Sequence, residues 1–181
     1  MSDSLPISGE HIHALARELF PIHRSITGNG VRKSLKIIQR ELPGLVIHEI
    51  ATGTLCFDWN IPNEWNIRDA YILDPDGHKI VDFNECNLHV VAYSIPIDRV
   101  VSLEELQEHL HTIPDRPGAV PYVTSFYEER WGFCISENLR RVLKPGEYRV
   151  MIDSTLEPGS LTYGELKVPG ETDSEVLVST Y

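Results

Sequence analysis

Hydrophobic periodicity changes twice along the 181 residues, near Cys56 and again near Asp153, and this restricts the chain to a mixed α and β architecture. Before the first change the pattern is helical. Ser8 is placed to cap a helix from about Gly9 to Phe20, whose Ile12, Leu15, Ala16 and Leu19 recur at helical spacing until Pro21. Thr27-Gly28-Asn29-Gly30 is a turn signal that opens a second helix with Val31, Leu35, Ile38 and Leu42 on one face, stopped by Pro43-Gly44. Leu45 to Ile50 then alternates as a strand.

Between the two changes short strands dominate. Tyr71 to Leu73 and Ile80 to Phe83 flank Asp76-Gly77, a hairpin signal because glycine accepts the positive φ of a tight turn. A strand is expected over Leu88 to Tyr93. Ser102-Leu103-Glu104-Glu105 fits a capping box and predicts a helix of about three turns reaching Ile113-Pro114. A proline-rich connection (Pro114, Pro117, Pro121) leads to a strand over Trp131 to Ile135, a helix capped by Ser136 and a strand over Tyr148 to Ile152. After the second change, Ser160 to Val168 and Glu175 to Thr180 read as two strands joined by a polar turn. The last alternates like a half-buried strand with no polar tail after it, so a continuation of the fold is expected beyond Tyr181. The organisation is α+β, divided into residues 1–55, a β-rich segment 56–153, and residues 154–181.

Charge and composition remove several functions. A net charge of -11, from 16 Lys and Arg against 27 Asp and Glu, opposes a phosphate backbone, and no basic cluster offsets it. Met1 to Ser8 has neither a basic nor an apolar leader region, and no run is long enough to cross a bilayer, so the expected compartment is the cytoplasm. Cys56, Cys86 and Cys134 are odd in number and far apart, which suggests buried free thiols and neither a disulfide framework nor a metal knuckle.

Motif by motif, the chemistry is thin. His11/His13 and His109/His111 lie on expected helices, where i and i+2 point about 200 degrees apart and cannot converge on one ion. Glu105 and His109 could share a face, yet a zinc site needs three or four ligands. The Asp74-Pro75-Asp76-Gly77 turn has its glycine too early for a calcium loop, and strands where helices are required. Gly28-Asn29-Gly30 could cradle an anion on free helix amides, but a helix precedes it and Lys33 takes the place of a third glycine. Ser25 and Ser160 have no recognisable base. Glu128-Glu129-Arg130-Trp131 is either a charged strand entrance or, with Trp131, the rim of a ligand cleft.

Four stretches nevertheless carry a resemblance: Phe20-Pro-Ile-His-Arg-Ser-Ile-Thr-Gly28 with Gly30-Val31; Phe57-Asp-Trp59 followed by Glu64-Trp-Asn-Ile-Arg-Asp-Ala-Tyr71; Glu129-Arg-Trp-Gly-Phe-Cys134; and Leu156-Glu-Pro-Gly-Ser-Leu-Thr-Tyr-Gly-Glu165. Together they resemble the aminopeptidase-like proteins of the DUF4910 type with their DUF2172 region, related to the M28 zinc peptidases and often met beside polysaccharide or secondary-metabolite genes. The resemblance implies an α/β aminopeptidase-like core, incomplete in this chain and interrupted by a β-rich insert. It implies zinc in an intact member, with His and acidic ligands and a Glu base following the Ser179-Thr180-Tyr181 segment. No catalytic or metal-ligating residue and no cofactor is therefore carried onto this chain, which is expected to be inactive alone. Arg24 and Thr27 sit in the most family-like loop, where they either touch substrate or hold two helices together, the latter through Thr capping. The expected partners are a complementary catalytic fragment or a second copy joined through the Glu175–Thr180 strand. The rival reading is a binding or assembly module built on the β-rich insert.

Overall fold

A long antiparallel pairing between two distant segments organises the chain. In the computed structural model, which describes residues 8–172 and 174–180, β4 (Glu64–Leu73) runs against β9 (Glu147–Glu157), from Glu64 opposite Glu157 to Leu73 opposite Arg149. The basis is strict alternation in β9: Tyr148, Val150, Ile152 and Ser154 are buried, while Arg149 and Asp153 face outward. β5 (Lys79–Asp82) flanks β4 and β6 (Ile97–Ser102) flanks β9, giving a four-stranded antiparallel sheet in the order β5-β4-β9-β6. The β4–β5 turn forms as expected: Gly77 takes φ 82°, and the Asp74 carboxylate accepts from the amides of Asp76 and His78.

One face of this sheet holds the core. Ala70, Ile72, Val81, Val101, Tyr148, Val150 and Ile152 pack against Leu106 of α3 (Leu103–Glu108) and against Leu110, Phe133 and Ile135. α4 (Glu137–Arg141) closes one side, with the Ser136 hydroxyl accepting from the Leu139 amide as a cap.

The remaining elements form a smaller layer. α1 (Gly9–Leu19) starts at Ser8, whose hydroxyl accepts from the His11 amide. α2 (Asn29–Glu41) packs on a two-stranded sheet of β1 (Val46–Ala51) and β10 (Ser160–Glu165), where the bare Cα of Gly164 lets Leu35 and Leu45 approach. No residue of α1 is buried, and Ile12 is 58% exposed; polar contacts tie the helix down, Glu18 to Arg40 at 2.7 Å and His11 to Glu41 at 3.0 Å. A short hairpin, β2 (Leu55–Cys56) and β3 (Trp59–Asn60), links the layers.

Four expectations are corrected. Leu88 to Tyr93 is not a strand: a 3-10 turn spans Asn87–His89, Val90 and Ala92 make isolated bridges, and Tyr93 at φ 68° ends any extension. α3 stops at Glu108 because Leu110–His111 (β7) pairs in parallel with Phe133–Cys134 (β8), drawing the chain out of the helix. The capping box is half made, since Ser102 accepts from the Glu105 amide while the Glu105 carboxylate pairs with Arg99. Glu175 to Thr180 forms no strand: Val176, Leu177 and Val178 are 88%, 91% and 83% exposed and pair with nothing among the described residues. Alternation supplies a strand's faces, but only a neighbouring backbone supplies its hydrogen bonds. Met1 to Ile7 and Tyr181, on which the leader and the end of the last strand were read, lie outside the described residues.

Phe133 is fully buried where the β7–β8 pair meets the sheet. Phe133→Ala is expected to cost about 3–5 kcal/mol, measured by urea unfolding.

Candidate functional site

The loop between α1 and α2 is tightly constrained by its two glycines. A Cβ on Gly30 would lie 1.8 Å from the His23 carbonyl oxygen, and one on Gly28, at φ 90°, would lie 2.2 Å from that of Trp65. Both glycines are therefore required by close backbone approach. The His23 ring sits edge-on to Trp65 at 5.2 Å and beside Phe83 at 5.4 Å. Burial, then the charge of Arg24, lowers its pKa to about 4, so the imidazole is neutral near pH 7.

Thr27 is the centre of this loop. Its buried hydroxyl is 2.7 Å from the Tyr93 hydroxyl and accepts from the Trp65 amide at 3.0 Å. Its backbone bridges to Leu161 of β10, and the Thr162 amide donates to Ile26. Thr27 does not cap α2: Gly28 is the N-cap and has no side chain to contribute. The Trp65 indole N–H donates to the Ser94 carbonyl, which also accepts from the Ser154 hydroxyl.

Beside this lies an ion cluster. Arg32 donates to both Glu64 oxygens, at 2.8 and 2.5 Å, to Glu49 at 2.6 Å and to the Ser160 hydroxyl at 2.9 Å. Glu64 further accepts from Asn66 and from the Ser160 amide, and its pKa falls to about 2, chiefly through the Arg32 hydrogen bonds. Arg32 is held above its usual range by the same bonds. The Asn66 side-chain oxygen accepts from the Asn29 amide at 2.7 Å. A partner from this chain thus occupies the helix N-terminus that could have met an anion.

The Arg24 guanidinium donates to the Leu19 carbonyl and closes the end of α1. Trp131 is 8% exposed, lies before β8 and stacks on His109 at 3.6 Å, with the Arg99 guanidinium 5.9 Å from its ring. His109 and His111 are not helical: His109 follows α3 and His111 lies in β7. The His109 ring nitrogen meets the Trp131 carbonyl, and burial followed by nearby arginines lowers the His111 pKa. Of the cysteines only Cys134 is buried, and burial pushes its thiol up to about 12; Cys56 is exposed and Cys86 half-buried, and all three are free. Ser160 is taken by Arg32 and Glu64, not poised as a nucleophile.

One group among the described residues brings three metal-capable side chains together, Asp74, Asp76 and His78. It does not fit a catalytic zinc. Asp74 accepts from two turn amides, His78 lies 3.5 Å from Asp74, and Lys144 already neutralises Asp76 at 2.9 Å.

The residues of the junction that sequence reasoning did not single out are Arg32, Glu64 and Tyr93. Glu64 stands in a motif stretch, but its pairing with Arg32, which is 32 positions away, carries no sequence signal.

The chain belongs to the family described as "Domain of unknown function (DUF2172)", which matches residues 64–155. That match begins at the first residue of β4 and ends inside β9, so it takes in the four-stranded sheet except the last two residues of β9. The chain is also 51% identical over 174 residues to a Clostridium acetobutylicum protein named "Putative polysaccharide biosynthesis protein with aminopeptidase-like domain", covering 96% of this chain and 40% of that protein. A crystal structure titled "putative peptidase" from the same organism superposes with a TM-score of 0.83 at 52% identity, over 86% of this chain and 37% of that one. The chain thus spans about two fifths of the curated relative's length.

Two acid-sensitive contributions are expected. The folded pKa of His23 is depressed from 6.5 to about 4, so the unfolded chain binds the extra proton and stability falls as pH drops across that window. Glu64 is depressed from 4.5 to about 2, so its contribution, full above pH 4.5, is lost between those values. In unfolding titrations Glu64→Gln should flatten the lower window and His23→Gln the upper one. Thr27→Val, nearly isosteric, should cost about 2 kcal/mol or more in chemical denaturation, because it strands the buried Trp65 amide and Tyr93 hydroxyl.

Proposed function

We propose that residues 1–181 form the framework and insert of an aminopeptidase-like hydrolase of the DUF4910 type, related to the M28 zinc peptidases, whose metal ligands and base lie outside this chain. In this reading residues 1–55 and 154–181 belong to the hydrolase core and 56–153 to the inserted β-rich domain. The intact protein carries out zinc-dependent hydrolysis of a terminal amide in the cytoplasm. No helix among the described residues is long and apolar enough to cross a membrane, which is compatible with that placement.

The observation that carries the reading is the use to which the family-like residues are put. His23, Thr27, Trp65, Asn66 and Ser160 hydrogen-bond or stack with one another and with Arg32 and Glu64. Residues committed to one another in this way hold two layers in register. Kinship with a protein named for an aminopeptidase-like domain supplies the reaction class.

A second reading, a binding or assembly module, draws on the solvent-facing aromatic residues of the β2–β3 hairpin and the loop before Trp131. The two are compatible if the insert recognises what the core cleaves, or if the chain completes a separate catalytic fragment.

The test is elemental analysis together with turnover of leucine 4-nitroanilide by the purified chain. Sub-stoichiometric zinc and no turnover are expected. One zinc per chain, or hydrolysis abolished by a chelator, would overturn the proposal.

A further inference from the structure

A series of aromatic rings runs from the core to the surface. Buried Trp65 stacks on Tyr93 at 5.7 Å, Tyr93 meets Tyr127 edge-on at 4.7 Å, and Tyr127 lies 6.0 Å from Trp59. Exposure rises outward, from 3% and 2% at Trp65 and Tyr93 to 38% and 36% at Tyr127 and Trp59. Phe57, two residues from Trp59 in the turn of the β2–β3 hairpin, is 95% exposed.

The backbone here runs against ordinary preference. Among the described residues, the non-glycine residues with positive φ are all aromatic: Phe57 at 55°, Tyr93 at 68°, Phe126 at 53° and Tyr127 at 70°. Glycine at Phe57 would relieve the turn and remove an exposed ring, so neither folding nor solubility is served by phenylalanine there. The loop carrying Tyr127 is nonetheless firmly held: Ser125 donates to Ala92, Glu128 to the Ser125 carbonyl, and the Arg130 guanidinium to the Thr124 carbonyl. Tyr127 is thereby pre-positioned, with little ordering of its loop left to occur on binding.

Charge selects the occupant. Asp58 separates Phe57 from Trp59, and Glu128 and Glu129 follow Tyr127; all three are exposed and none is in an ion pair among the described residues. Arg130, the cation adjoining them in sequence, is engaged with a backbone carbonyl. Ring faces attract cations through their quadrupole, and neighbouring carboxylates add to that attraction while repelling anions.

We infer that Phe57, Trp59 and Tyr127, with Asp58, Glu128 and Glu129, form a recognition surface for a peptide bearing basic side chains. Peptide as the carrier rests on the hydrolase reading above; the preference for positive charge rests on the surface itself.

Trp65 and Trp131 are 3% and 8% exposed, so ligand-dependent tryptophan fluorescence reports mainly on Trp59. The intact 181-residue chain would be titrated with Lys-Ala-Lys amide and, in parallel, with Glu-Ala-Glu amide. A saturable change with the basic peptide alone is expected, weakened at least tenfold in Asp58→Asn/Glu128→Gln/Glu129→Gln and in Phe57→Gly. Phe57→Gly should keep or raise the melting temperature, which separates lost recognition from lost folding. The inference is overturned by no saturable response, by equal response to the acidic peptide, by unchanged affinity in the variants, or by self-association that Phe57→Gly abolishes. Neither zinc nor turnover enters the measurement, so its failure leaves the hydrolase proposal to its own test.

Discussion

The Thr27 hydroxyl is the point through which the two layers of the molecule are joined. It is buried, it accepts from the first buried amide of β4 at Trp65, and it meets the Tyr93 hydroxyl that closes the core from the other side. A buried hydroxyl holding two buried polar groups is worth more than either bond alone, because losing it strands both partners away from water. The close contacts at Gly28 and Gly30 follow from this: the loop must pass near enough to Trp65 for that hydroxyl to reach, and a side chain at either glycine would prevent it.

Around that point the ion cluster fixes orientation. Arg32 belongs to α2, Glu49 to β1, Glu64 to β4 and Ser160 to β10, so one guanidinium ties its helix to three strands. Its planar fork sets the angle between the helix and both sheets, which a flexible lysine would not do. Neutral His23 and ionised Glu64 are consequences of the same packing, and both make the junction sensitive to acid. The aromatic series starts at this junction, with Trp65 its innermost ring.

Local signals were legible wherever chemistry acts within a few residues. Ser8, Ser102 and Ser136 each accept from the amide three positions on, and Asp76-Gly77 turns the chain between β4 and β5. Signals failed where a distant backbone decides. His109 and His111 read as helical until the β7–β8 pairing is known, and Thr27 read as a cap until Trp65 and Tyr93 are seen beside it. The alternation over Glu175 to Thr180 was real, but a strand needs a neighbour that no described residue provides.

The order of helical and extended segments, the acidic balance, the absence of a nucleophile motif and the family-like stretches were all present in the sequence, since each depends on residue type and short-range spacing. Tertiary structure alone decided that residues of three of those stretches bond to one another, that Arg32 and Glu64 become partners across 32 positions, and that a line of rings runs from Trp65 out to Trp59. The physical reason is range: capping, turns and periodicity act through neighbours in the chain, whereas ion pairs, ring contacts and strand ladders exist only once folding has brought remote residues within a few ångströms.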